Sequence, residues 1–198
     1  MPEKNYLTIA KEGMDEFVEK KSRFIGRVWL VETEEEALAR IQEMKKQHYD
    51  ATHNCWAYVI RDGAMRFSDD GEPHGTAGKP ILEVINGLGL VNVAVVVTRY
   101  FGGVLLGTGG LVRAYSKSTK DALESATVVE MVLCTLFSIE CEYQDHAKLL
   151  KLFENSEANI ENTNFNFYGV EKGFTIKQVQ DLFGTKIISL NCELVYNK

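Results

Sequence analysis

The chain's apolar positions separate strands from helices by their spacing. The run VNVAVVVTRYF, residues 91–101, is apolar at almost every position before Thr98. A short continuous run rich in β-branched residues predicts a strand buried on both faces. NYLTIA predicts a short strand, and DEFVEKKSRFIGRVWLVE predicts two strands with a turn near Lys20–Ser22. In TEEEALARIQEMKKQHY, residues Ala37, Leu38, Ile41 and Met44 recur at helical spacing. Thr33 is placed to cap that helix, with Glu34, Glu35 and Glu36 at the positive end of its dipole. NCWAYVI reads as a strand and RDGAMRF as a hairpin turning at Asp62-Gly63. PILEVINGLG predicts a helix that starts between Thr76 and Gly78. Pro80 then falls in its first turn, where a missing N–H costs least. LVRAYSKSTKDALESA predicts a third helix, with Thr108 as its cap.

Near Thr127–Val129 the pattern restarts. MVLCTLFSIECE alternates as a strand, and YQDHAKLLKLFENSE has a helical apolar face. ANIENTNFNFYG reads as one strand, TIKQVQDLFG as a helix ended by Gly184, and TKIISLNCELVY as a final strand. The order is close to β-α-β-β-α-β, with only GVEKGF available for the third strand. The expected class is α+β, with domains at 1–127 and 128–198.

Composition narrows the function classes. The 198 residues are 45% hydrophobic and 25% charged, as in an ordinary globular protein. The net charge of −6 is unevenly placed. Residues 1–120 carry 16 Lys/Arg and 16 Asp/Glu, whereas residues 121–198 carry 6 and 12. A polyanion would therefore be repelled by the last third, and nucleic acid would have to use a local patch in the first 120 residues. No apolar run is long enough for a membrane helix, and MPEKNYLTIAKEG lacks a signal-peptide layout. Cys55, Cys134, Cys141 and Cys192 show no CxxC or zinc spacing, which suits reduced thiols in the cytoplasm.

Two glycine-rich loops each lead into a helix: FSDDGEPHGTAGKP and RYFGGVLLGTGGLVRAYS. Backbone N–H groups in such loops, together with a helix N-terminus, form an anion site. Neither loop is a nucleotide motif, because Pro80 follows Gly78-Lys79 and Val112 ends the second pattern. Tight strand-to-helix turns explain the glycines equally well. His53, Asp69, Asp70, Glu72 and His74 would form an acid/base or metal set if they converged. The competing account is that the acids steady a helix start, that His53 and Cys55 are packed on one strand face, and that Trp29, Trp56 and Tyr58 are core aromatics rather than base-stacking platforms. His48 ends the first helix, where a cationic ring suits the dipole, and His146 is expected on a surface.

The two loops in this order, with KSRFIG at Lys21–Gly26 and ATHNCWAY at Ala51–Tyr58, resemble the signature of the YigZ/IMPACT family. The resemblance covers most of residues 1–125 and is looser beyond Val129. It implies a ribosomal-protein-like, left-handed β-α-β N-terminal domain, as in domain IV of elongation factor G. It also implies a ferredoxin-like C-terminal domain similar to that factor's domain V. Eukaryotic members act in translational control, so the resemblance implies a non-enzymatic regulator that binds RNA or a ribosomal component. A phosphometabolite-binding protein or enzyme and a protein-interaction module stand as alternatives. Phosphate contacts are expected from Arg23, Lys79, Arg99, Arg113 and Lys117. The candidate ligand-binding set adds His53, Asp69, Asp70, Glu72, His74, Gly75, Thr76, Gly78, Tyr100, Gly102, Gly103, Gly107, Gly109 and Gly110. No cofactor, metal or membrane partner is called for.

Overall fold

The structure is a computed structural model and describes residues 5–140, 151, 158–160, 166–169 and 186–196. The chain divides into two compact units, one of Tyr6–Glu130 and one that contains Met131–Asn197.

The first unit begins with β1 (Tyr6–Ile9), whose Leu7 carbonyl accepts the Val91 N–H at 3.0 Å. Its sheet contains β2 (Gly13–Glu19), β3 (Ser22–Leu30), β4 (His53–Val59), β5 (Met65–Ser68) and β6 (Val93–Tyr100). The order is β2-β3-β6-β4-β5, with every neighbouring pair antiparallel. β6 is central because its apolar run needs cover on both faces. Val93, Val95 and Val97 join one core with α2 (Gly78–Gly87) and α3 (Thr108–Ala126). Ala94 and Val96 join the other core, beneath α1 (Glu34–Gln47). Each fully buried aliphatic side chain there contributes about 1.5–3 kcal/mol relative to exposure. β3 and β4 are both antiparallel to β6, hence parallel to each other, and α1 crosses between them.

α1 starts as expected: the Thr33 hydroxyl accepts the Glu36 N–H at 3.1 Å. Ala37, Ile41 and Met44 are buried, but Leu38 is 40% exposed. It lies just off the stripe that the 3.6-residue period turns inward. Thr108 is not the cap of α3 but its first residue; Gly107 precedes the helix at φ 73°. Glycine adopts that left-handed backbone without the steric cost a Cβ brings.

In the second unit, the part of β7 (Val128–Glu140) from Met131 onward pairs antiparallel with β9 (Asn166–Gly169) and β10 (Lys186–Tyr196). β8 (Ala158–Ile160) pairs antiparallel with β9. ANIENTNFNFYG therefore holds two strands rather than one, with Ala158 opposite Gly169. The turn formers Asn162 and Asn164 break its apolar alternation. The expected helices over YQDHAKLLKLFENSE and TIKQVQDLFG, the expected strand over GVEKGF, and His146 lie outside the described residues, apart from Lys151 and Gly169. Among the described residues, no helix is long and apolar enough to cross a membrane.

Candidate functional site

The acids of the first glycine loop are engaged within the fold. Asp69 Oδ1 accepts the N–H groups of Ala77 and Gly78 at 3.1 and 2.8 Å, and Oδ2 accepts that of Gly75 at 2.8 Å. This carboxylate serves as the cap of α2, where orphan amides and the dipole favour an anion. Asp70 accepts the Asn54 N–H at 2.7 Å and pairs with Lys45 at 2.6 Å. The Asp70 carbonyl lies 2.9 Å from His53 Nδ1. A carbonyl only accepts, so Nδ1 carries the hydrogen, and in the neutral ring Nε2 presents a lone pair.

Glu72 and Arg99 form the floor of the site. Sheet register places Arg99 opposite His53 on β4 and Phe24 on β3. The Arg99 side chain is 5% exposed and that of Glu72 3%, with Nη1 to Oε1 at 2.6 Å. Tyr115 donates to the same Oε1 at 2.8 Å, and the Cys55 thiol lies 3.4 Å from the Tyr115 hydroxyl. Burial pushes the Tyr115 hydroxyl far above its ordinary value, with Cys55 and Glu72 adding to the effect, so it stays a donor. Burial likewise keeps Cys55 a thiol. Arg99 also donates to Ser22 Oγ at 3.3 Å, and its guanidinium lies 5.5 and 5.4 Å from the rings of Phe24 and Phe101. One buried polar atom of this floor remains unsatisfied. Arg99 Nε is buried without a hydrogen-bond partner. Glu72 Oε2 faces His53 Nε2 at 3.8 Å, beyond hydrogen-bond length.

Above this floor a cavity of about 400 Å³ opens between the two glycine loops. Gly71 and Pro73 line one side, and Phe101, Leu105, Leu106 and Leu111 form an apolar wall. Gly107 and Thr108, where α3 begins, complete it. The first turn of α3 contains no acid, and no side chain caps it. Its leading amides point outward without intrahelical acceptors. Arg113 is exposed and makes no ion pair among the described residues. It curls back over this turn, since a Cβ on Gly109 would lie 3.5 Å from its Nη1. A smaller hollow of about 150 Å³ alongside is lined by Arg113, Lys20, Lys117 and Glu19, among others.

Residues 20–123, which carry both loops, match the family model of the Impact N-terminal domain. The chain belongs to the IMPACT family. It is 44% identical to the IMPACT family member YvyE of Bacillus subtilis (strain 168) over 176 residues, which cover 85% of this chain and 81% of that one. Against the IMPACT family member YigZ of Escherichia coli (strain K12) the identity is 39%, over 75% of each chain. The crystal structure of a hypothetical protein aligns at a TM-score of 0.63 and 31% identity, covering 99% of this chain and 100% of its own.

In this IMPACT-family chain the five acid/base candidates meet in pairs rather than as one set. His53 faces Glu72 at 3.8 Å; His74, 99% exposed, lies 3.8 Å from Asp69, which is committed to amides, and Asp70 is committed to Lys45 and Asn54. Among the described residues, no group of three or more His, Cys, Asp or Glu side chains is placed to hold a metal ion. Arg99 is not a surface cation: Glu72 neutralises it inside the fold. Arg23 pairs with Glu16 at 2.6 Å and Lys79 with Glu83 at 3.7 Å, both on the surface. Lys117 pairs with Asp121 and lies 4.7 Å from the Phe17 ring centre. Tyr100 donates to Asp50 at 3.1 Å, away from the cavity lining. Thr76 donates to the Pro73 carbonyl at 2.6 Å, and Gly78 starts α2. Gly102 lets the chain pass Lys21, whose carbonyl oxygen would be 1.9 Å from any Cβ there. Gly75 and Gly103 turn at φ 74° and 83°. Trp29 and Tyr58 are core residues under α1, and Trp56 stacks on Tyr58 at 5.7 Å. His48, expected to favour the cation, is instead held below its ordinary value by burial, with Arg27 adding to the effect.

Lys20, Ser22, Phe101, Leu105, Leu106, Leu111 and Tyr115 belong to the site although sequence reasoning did not select them. One signal was present. Phe101, Leu105 and Leu106 are large apolar residues inside a glycine loop, where neither strand nor helix periodicity accounts for them.

Proposed function

We propose that this IMPACT-family chain is a translation-associated regulator that binds RNA or a ribosomal component at the open N-terminus of α3. The observation that carries the reading is the position of Arg113. An exposed cation without a counter-ion lies over the uncapped, positive end of a helix. That arrangement is repulsive until an anion joins it, and phosphate is the anion that N–H groups and a guanidinium fork bind best. Lys20 lies beside it in the smaller hollow, together with Lys117, whose ammonium is paired with Asp121. Family membership supports the translational setting that the resemblance implied.

In this reading residues 1–127 are the IMPACT-type, ribosomal-protein-like domain with its left-handed β-α-β unit. The β3-α1-β4 crossover is the segment that fits that unit. Residues 128–198 are the ferredoxin-like domain. Binding is cytoplasmic and involves no reaction step, metal or cofactor. Arg99 and Glu72 shape the site rather than touch phosphate.

Three phosphate contacts give a shallow salt slope, on the order of −2 for single-stranded RNA. The test is fluorescence anisotropy of the full chain with single-stranded and structured RNA at two salt concentrations. Arg113→Ala and Lys117→Ala are each expected to weaken binding roughly five- to tenfold while leaving the folded state intact. Unchanged binding in the double variant would sink the reading. A ribosomal protein as the partner would show itself by capture that survives nuclease.

A further inference from the structure

The cavity beside α3 has three chemically distinct sides. The first is the anion end: Gly107 and Thr108 at the uncapped start of α3. The second is the apolar wall, where Phe101 is 45% and Leu105 82% exposed. The third is the floor, where polar atoms are mismatched. His53 Nδ1 donates to the Asp70 carbonyl, so in the neutral ring Nε2 is an acceptor. It lies 3.8 Å from the carboxylate oxygen Glu72 Oε2, also an acceptor. With the ring in that neutral form, neither donates to the other. Beside them Arg99, 4% exposed, lines the cavity with an Nε–H that has no acceptor.

We infer that the cavity takes a single nucleotide whose base carries an exocyclic amine, with the phosphate at α3 and the amine edge on Glu72 and His53. The inference rests on the RNA reading above and names the unit of RNA that the site would select. A phosphate suits the helix end. A flat aromatic ring suits the wall and stacks on Phe101. An amine supplies hydrogens to both floor acceptors, and the ring nitrogen beside it in cytosine or adenine accepts from Arg99 Nε. Uracil would place its keto oxygen where the floor already has acceptors, leaving buried groups unpaired, which is where discrimination is largest. A volume of about 400 Å³ is within the range of small-ligand sites, about 300–1,000 Å³.

The test uses the full chain and calorimetric titration with cytidine monophosphate, uridine monophosphate, cytidine and inorganic phosphate, next to the RNA titration. Cytidine monophosphate should bind at least tenfold tighter than uridine monophosphate, and tighter than cytidine or phosphate alone. Thr108→Pro removes one amide at a helix position where proline is well tolerated, so it should weaken cytidine monophosphate roughly tenfold with the melting temperature kept. His53→Asn keeps a donor for the Asp70 carbonyl but deletes the Nε2 acceptor, and should shrink the preference for cytosine over uracil toward one. Equal binding of the two nucleotides, or phosphate binding as well as cytidine monophosphate, overturns the inference. So does RNA that binds through Arg113 without any mononucleotide binding; the RNA reading then stands alone. Cytidine monophosphate binding without RNA binding upholds the cavity and removes the RNA reading.

Discussion

α2 and α3 both emerge from glycine-rich loops, yet their N-termini are opposite in electrostatic terms. At α2 the protein supplies the anion itself, because Asp69 accepts three loop and helix amides. At α3 the leading amides have no side-chain cap, and Arg113 lies over that first turn. A glycine loop before a helix therefore marks a potential anion site. Which loop keeps the site open depends on whether an acid of the same chain reaches the amides. The first loop is rigid structure and the second is a surface left for something else.

That contrast can be broken or sharpened by substitution. The largest effect belongs to the buried pair joining the two loops. Arg99→Ala strands Glu72 beside Tyr115 in the interior and should cost about 3–5 kcal/mol in urea unfolding. A cost below about 1 kcal/mol would mean the pair does not hold the loops together. Asp69→Ala should cost about 2–3 kcal/mol, because the α2 amides lose a charged acceptor. Gly109→Glu tests the opposite junction by giving α3 the acid that α2 already has. It should raise stability by about 1 kcal/mol, through helix propensity and the dipole, and abolish RNA binding. If Gly109→Glu bound RNA like the unaltered chain, the α3 end would not be the site.

The smallest effect concerns the far end of α1. His48 has its folded pKa lowered from 6.5 by burial, with Arg27 adding to the effect. The unfolded chain then binds its proton at higher pH than the folded chain. This stability is present above about pH 6.5 and is lost as pH falls through that value toward the folded pKa. His48→Gln should flatten the acid side of the stability profile slightly, as read from unfolding midpoints at a series of pH values. An unchanged profile would show that the helix dipole offsets the burial.

Much of the first unit was legible because local patterns and tertiary demands agree there. The β6 run, the α1 stripe of Ala37, Ile41 and Met44, and the Thr33 cap all appear where periodicity and capping chemistry put them. Leu38 and Thr108 were misjudged for small geometric reasons: one lies beside the stripe, and the other follows a glycine able to take φ 73°. Splitting ANIENTNFNFYG into β8 and β9 required knowing which residues pair, since Asn-rich segments serve as strand ends as readily as interiors. The site was less legible. Both loops could be named, but not their different fates.

The amino-acid sequence by itself determined the family, the central strand, the starts of α1 and α2 and the presence of two special loops. These depend on residue types and short spacings, which a linear chain displays. Only the tertiary structure decided that Arg99 is buried against Glu72, that Asp69 closes α2, and that Arg113 lies over an open α3. The reason is that the charge state, exposure and function of an ion depend on its neighbours in space. Glu72 and Arg99 are 27 positions apart, and the register of β6 beside β3 and β4 is what brings them together.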